Sequence, residues 1–185
     1  MVVVKPEHSA GLGNGTGGYL LSIGGYPAPS GGFWSAYDTQ AGTWSNLTTP
    51  APYPGLEGHT AVSDPQTGLV YVIGGYYINN ITPSSQVAND LTVFDPNTGK
   101  VVQQTVASQH FNTTGSSAVW STRRKSVLLF HGWSIATSID EIYGIVQTGV
   151  KELNVTSRTW SNMPEARCGP RKINDFAYVH VSRPR

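Results

Sequence analysis

Apolar residues in this chain gather into short runs, each closed by glycine: Tyr19-Leu-Leu-Ser-Ile-Gly-Gly25, Val70-Tyr-Val-Ile-Gly-Gly75 and Val127-Leu-Leu-Phe-His-Gly132. Runs of this length bounded by turn formers read as β-strands. Downstream of each comes an apolar or aromatic residue, an Asp or Asn, a turn and a closing position: Tyr37-Asp38 to Trp44, Phe94-Asp95 to Val101, and Leu153-Asn154 to Trp160. The inner spacing is six each time. A further step of fifteen reaches His59 before Thr60-Ala61-Val62, Ser116 before Ser117-Ala118-Val119, and Asp175 before Phe176-Ala177-Tyr178. Equal steps of this kind mark an internal repeat.

Each unit resolves into four short strands. In the second unit these are expected at His59 to Ser63, Leu69 to Ile73, Leu91 to Phe94 and Val101 to Val106. Asp64-Pro65-Gln66-Thr67-Gly68 and Asp95-Pro96-Asn97-Thr98-Gly99 supply the turns, with Pro setting φ and Gly taking a positive φ. His8-Ser9-Ala10 is expected to open the first unit. The units then run over about 8–58, 59–115 and 116–174, and Asp175 to Val181 reads as one strand of a fourth.

Composition agrees with a chain of strands and turns. Glycine (21) and proline (12) leave helix a minor element, and one domain suits 185 residues. Twelve Lys and Arg against eleven Asp and Glu give a net charge of +1, so no global field draws nucleic acid or an anionic membrane. The basic cluster Arg123, Arg124 and Lys125 falls between two apolar runs and reads as a solvated hairpin turn. No stretch reaches the roughly 18 apolar residues of a membrane helix, and Met1 to Pro6 is too short for a signal core. Cys168 is alone, which rules out an intrachain disulfide and a Cys-pair zinc site. Five of the asparagines, Asn14, Asn46, Asn80, Asn112 and Asn154, begin Asn-x-Ser/Thr triplets. They point to a glycoprotein of the secretory pathway or the extracellular space.

The repeat resembles the kelch superfamily, whose units carry a double glycine after strand two, an aromatic in strand three and a Trp about six residues on in strand four. Gly24-Gly25, Tyr37 and Trp44 match, as do Gly74-Gly75, Phe94 and, in the third unit, Trp160. The third unit departs at His131-Gly132 and the second at Val101. The resemblance covers residues 8 to about 181. It implies an all-β, kelch-type β-propeller of about three four-stranded antiparallel blades plus one strand of a fourth, with the glycines and tryptophans structural. Such a propeller is incomplete, so the remaining blades or a second copy of the chain are expected to close the ring.

A binding face is expected where strands two and three connect. Those spans lengthen from thirteen residues (Gly25 to Asp38) to twenty (Gly75 to Asp95) and twenty-two (Gly132 to Asn154). They hold the candidate binding residues Tyr26, Trp34, Tyr76, Tyr77, Trp133 and Tyr143, aromatics suited to a protein or glycan ligand. Kelch-like propellers include copper radical oxidases similar to galactose oxidase, which need an adjacent Tyr-His pair and a cross-linked Cys. No Tyr here precedes a His, and iron-dependent relatives with a Glu, Asp, His series spaced by four find no match either. His8 and His59 share a repeat position and read as structural, and a metal pair of His110 and His131 is disfavoured. Neither a Gly-x-Ser-x-Gly elbow nor a phosphate loop is present. The expectation is therefore a non-enzymatic binding scaffold with no metal or cofactor. The alternative is a piece of a galactose-oxidase-like or other kelch-fold enzyme whose active-site residues lie outside this chain.

Overall fold

A computed structural model describes residues 1–10, 12, 17–24, 34–47, 56–77, 86–87, 90–106, 114–130, 132–137, 142–146 and 149–164, those at 76–77, 86–87, 90, 103–106, 133–137 and 142–146 by backbone alone. Sheet I joins β1 (Val2–Val4), β2 (Tyr19–Ile23), β3 (Trp34–Asp38) and β4 (Thr43–Leu47). A short strand β5 (Leu56–Glu57) leads to sheet II, which begins with β6 (Thr60–Ser63) and β7 (Val70–Ile73). After β8 (Tyr76–Tyr77) and β9 (Gln86–Val87), sheet II is completed by β10 (Asp90–Asp95) and β11 (Lys100–Val106). Sheet III starts with β12 (Ser117–Ser121) and β13 (Ser126–Phe130). A hairpin of β14 (Trp133–Thr137) and β15 (Ile142–Val146) intervenes before β16 (Val150–Asn154) and β17 (Thr159–Asn162) finish it. The three four-stranded sheets are antiparallel throughout, and the described residues contain no α-helix, only a 3-10 turn at Pro6–His8.

Local chemistry explains the strand-three-to-four turns. Asp38 Oδ1 accepts from the Gln40 and Ala41 amides, Asp95 Oδ1 from Asn97, and Asn154 Oδ1 from Thr156 and Ser157. Gly42 and Gly99 close the first two turns at φ +68°, while Arg158 takes φ +57° in the third. Asp64 builds the strand-one-to-two turn of sheet II in the same way, holding the Gln66 amide at 2.8 Å and the Thr67 hydroxyl at 2.7 Å.

One strand is not where the repeat spacing placed it. The first strand of sheet I is Val2–Val4, paired Val2 with Leu21 and Val4 with Tyr19, whereas His8 lies in the 3-10 turn. Three successive β-branched valines favour the extended chain, and Pro6, lacking an amide proton, begins the 3-10 turn instead.

Register puts equivalent residues in a cross-strand row on each sheet. The row is Val3–Leu20–Tyr37–Trp44 in sheet I, Ser63–Val70–Phe94–Val101 in sheet II and Trp120–Val127–Leu153–Trp160 in sheet III. In sheet II this row faces sheet I: Val70, Val72 and Phe94 share a core with Val2, Leu21, Ile23, Trp34 and Ala36. In sheet III it faces sheet II: Val127, Leu129 and Leu153 pack with Tyr71, Ile73, Leu91 and Val93, and Trp120 and Trp160 pack on the same cluster. Sheet II is thus covered on both sides, and all four residues of β7 are buried. In β2, whose second face has no neighbouring sheet among the described residues, buried residues alternate with half-buried ones. The first strands lie together, with β6 against both β1 and β12.

Candidate functional site

The long connections after strand two are themselves built of strands. β8 pairs with β9 on one side and with β5 on the other, Tyr77 opposite Leu56 and Tyr76 opposite Glu57. The approach to strand one and the departure from strand two therefore meet in one small sheet. The connection in sheet III is the β14–β15 hairpin, with Trp133 opposite Val146 and Tyr143 opposite Ala136. Its signal was present in the chain, since Trp133-Ser-Ile-Ala-Thr137 and Ile142-Tyr-Gly-Ile-Val146, both rich in strand formers, flank four residues that can form a turn. The expected loops are thus β-structured extensions at one end of the sheets.

Close packing of backbone fixes that end. Gly24 has φ +69°, and a Cβ there would press into the Leu56 carbonyl and come within 2.9 Å of His59 Cε1. Gly75, at φ +92°, would meet the Glu57 carbonyl at 2.6 Å. Gly132 lies against Ser116 in the same manner. Glycine is needed at these positions both for its dihedral and for the absent side chain. Sheets II and III are stitched together beside them: the Gly58 carbonyl accepts from the Gly115 amide at 2.7 Å, and Thr60 Oγ1 accepts from the Ala118 amide at 3.1 Å. Ser63 Oγ donates to the Val3 carbonyl at 3.1 Å, tying sheet II to sheet I.

His59 and Ser116 precede strand one in sheets II and III, and their Nδ1 and Oγ are buried with no hydrogen-bond partner. Burial lowers the imidazole pKa, and the positive amino terminus adds to this. The carbonyls of Leu56 and Ile23 oppose both.

The six candidate aromatics are treated differently by the structure. Trp34 begins β3 rather than lying in a loop, is buried, and meets Phe94 edge-on with centroids 4.9 Å apart. It is an inter-sheet packing residue and is withdrawn from the binding face, because an indole enclosed between two sheets has no surface to offer. Tyr76 and Tyr77 lie in β8, Trp133 in β14 and Tyr143 in β15, with their side chains outside the described residues, as is all of Tyr26. Of the sequons, Asn46 is exposed on β4 and Asn154 is exposed at the end of β16, whereas Asn14, Asn80 and Asn112 fall outside the described residues. His110, His131 and Cys168 do so too. Among the described residues no three His, Cys, Asp or Glu side chains gather to hold a metal ion, and no helix is long and apolar enough to cross a membrane.

Arg123, Arg124 and Lys125 lie exposed in the β12–β13 hairpin turn, as expected, and Arg124 also forms a bidentate ion pair there. Its Nε and Nη2 donate to Glu152 at 2.7 and 2.9 Å, and Ser126 Oγ donates to the same carboxylate at 2.7 Å. The Arg124 bonds first, then that of Ser126, hold the Glu152 pKa below the ordinary carboxylate value. A separation of 28 residues gave no sequence signal for the pair.

No protein-family model and no curated protein matches the chain. Solved structures do match; that of YjhT aligns over 72% of this chain and 38% of its own, with 15% identity and a TM-score of 0.54. At this identity the likeness concerns the fold alone, and the chain spans well under half of that structure.

Proposed function

We propose that the chain is part of a kelch-type β-propeller and acts as a non-catalytic scaffold, binding a protein or glycan at the end where strands two and three connect. The observation that carries this reading is the conversion of both long connections into strands. β5–β8–β9 and β14–β15 extend one end of a rigid repeat framework, where a ligand would meet ordered backbone edges flanked by the aromatic positions 76, 77 and 133. The shared row positions, the side-by-side first strands and the glycine contacts support the kelch resemblance. The exposed sequons Asn46 and Asn154 support passage through the secretory pathway.

The test is to screen protein secreted from a eukaryotic host against a glycan array and a display library of secreted proteins. The same screen is repeated with Tyr76, Tyr77 and Trp133 all changed to Ala. Removing three aromatic anchors is expected to cost more than tenfold in affinity for any ligand found, since interface anchors exceed about 1 kcal/mol each. Full affinity in the triple variant would reject this end as the site.

A further inference from the structure

Trp44 and Asn46 alternate with Ser45 on β4, so both project to the same side of the strand, about 6.4–6.8 Å apart along it. That side is turned away from sheet II, because Leu47, of opposite parity, packs against the core shared with that sheet. Both residues are exposed, Trp44 to 55% among the described residues, and Tyr37, opposite Trp44 in register, braces the indole with centroids 5.2 Å apart. Asn46 opens the triplet Asn46-Leu47-Thr48, of which Thr48 lies outside the described residues. The third unit repeats the element as Trp160-Ser161-Asn162, followed by Met163-Pro164 in place of a sequon. There sheet II packs on the row, yet Trp160 stays half-buried and Asn162 exposed. A sheet covering this row thus leaves the asparagine position accessible.

We propose that Asn46 carries an N-linked glycan whose first N-acetylglucosamine lies on the Trp44 indole, a step that rests on the secretory-pathway reading above. In the transfer, Asn46 Nδ2 attacks the anomeric carbon of a lipid-pyrophosphate-linked oligosaccharide. The N–C bond forms, the C–O bond to the pyrophosphate breaks, Nδ2 gives up one proton and the lipid pyrophosphate leaves, with no change of oxidation state. The Asn side chain and its new bond span the two-residue rise back to Trp44, which brings one face of the pyranose over the ring. The axial C–H groups of that sugar face are weakly positive and an indole face is negative, so the contact is favourable and removes apolar surface of both from water. Asn154 supplies the internal contrast. It too is exposed and begins a sequon, but two residues before it stands Glu152, whose carboxylate is held by Arg124 and Ser126. A sugar on Asn154 meets no aromatic platform at that position.

Protein secreted from a eukaryotic host is treated with an endoglycosidase that leaves a single N-acetylglucosamine, and glycopeptide mass spectrometry is expected to find that sugar at Asn46. An indole ring current moves protons lying over its face upfield. The axial ring protons of the Asn46-linked sugar are therefore expected upfield of their free-sugar positions, to stay there in Trp44→Tyr and to return in Trp44→Leu. Urea denaturation reads the same contact as stability. Loss of the glycan in Thr48→Ala is expected to lower the folding equilibrium constant at least about twofold in the parent and to have no effect on top of Trp44→Leu. An unoccupied Asn46, unshifted sugar protons, or an equal glycan effect in Trp44→Leu would each overturn the proposal. If Trp44→Leu does not fold, the proton shifts of the parent and of Trp44→Tyr decide. A sugar at Asn154 with none at Asn46 would sink the inference and leave the secretory reading standing, whereas no sugar at either would remove both. Ligand binding at the strand-two-to-three end is read by neither measurement.

Discussion

His59 sits where β2 of sheet I and the approach to β6 converge, and its burial makes the neutral imidazole the favoured form. The folded pKa lies below that of the unfolded chain, so unfolding takes up a proton once the pH drops below about 6.5. The stabilising effect is complete above that value and is lost as the pH falls toward the folded pKa. Urea midpoints are expected to decline between about pH 7.5 and pH 5, and His59→Gln should flatten that decline. An equal slope in the variant would show that the proton uptake occurs elsewhere. The window stays above pH 5 because Asp38 and Glu152, both held below the ordinary carboxylate value, lose their stabilising effect only at lower pH. The sequence marked His59 as structural from its repeat position, but the unpartnered Nδ1 depends on backbone from two sheets and has no signature in spacing.

Trp34 and Trp44 show how the same residue type serves differently by element. Trp34 in β3 faces sheet II and is enclosed against Phe94, while Trp44 in β4 lies on the outer face beside Tyr37, with centroids 5.2 Å apart. Trp34→Ala is expected to cost about 3–5 kcal/mol, the range for a large buried aromatic. Trp44→Ala is expected to cost under about 1 kcal/mol, because only a partly exposed ring contact is lost. Chemical denaturation of the two variants distinguishes them, and equal losses would contradict this assignment of faces. Strands were legible where turn chemistry bounded them, as at Asp64 to Gly68 and Asp95 to Gly99, and β6, β7, β10 and β11 begin and end within a residue or two of expectation. The face that Trp34 occupies was not legible, because it follows from the β2–β3 register rather than from distance to the glycine. The first strand was misplaced for a related reason: residues 5–18 join β1 to β2 by a connection longer than the tight turn of the other sheets, so counting back from Gly25 stopped at His8.

Across the molecule, the repeat that was readable from spacing becomes a graded distribution of burial. Sheet II has a neighbour on each face, and β7 and β10 are also bonded on both edges, so every amide pair between them is shielded by two packed layers. Among the described residues sheets I and III have one neighbour each, and β4 and β17 are edge strands whose residues are mostly exposed. Exchange from a strand requires opening whatever covers it, so local stability should fall outward from the centre of sheet II. Hydrogen–deuterium exchange is expected to be slowest in β7 and β10, intermediate in β2 and β13, and fastest in β4 and β17. Exchange from β7 and β10 as fast as from β4 and β17 would contradict this ordering. The sequence showed that equivalent strands recur, but not this ordering, because which copy of a repeated strand is central is a property of stacking rather than of the strand itself.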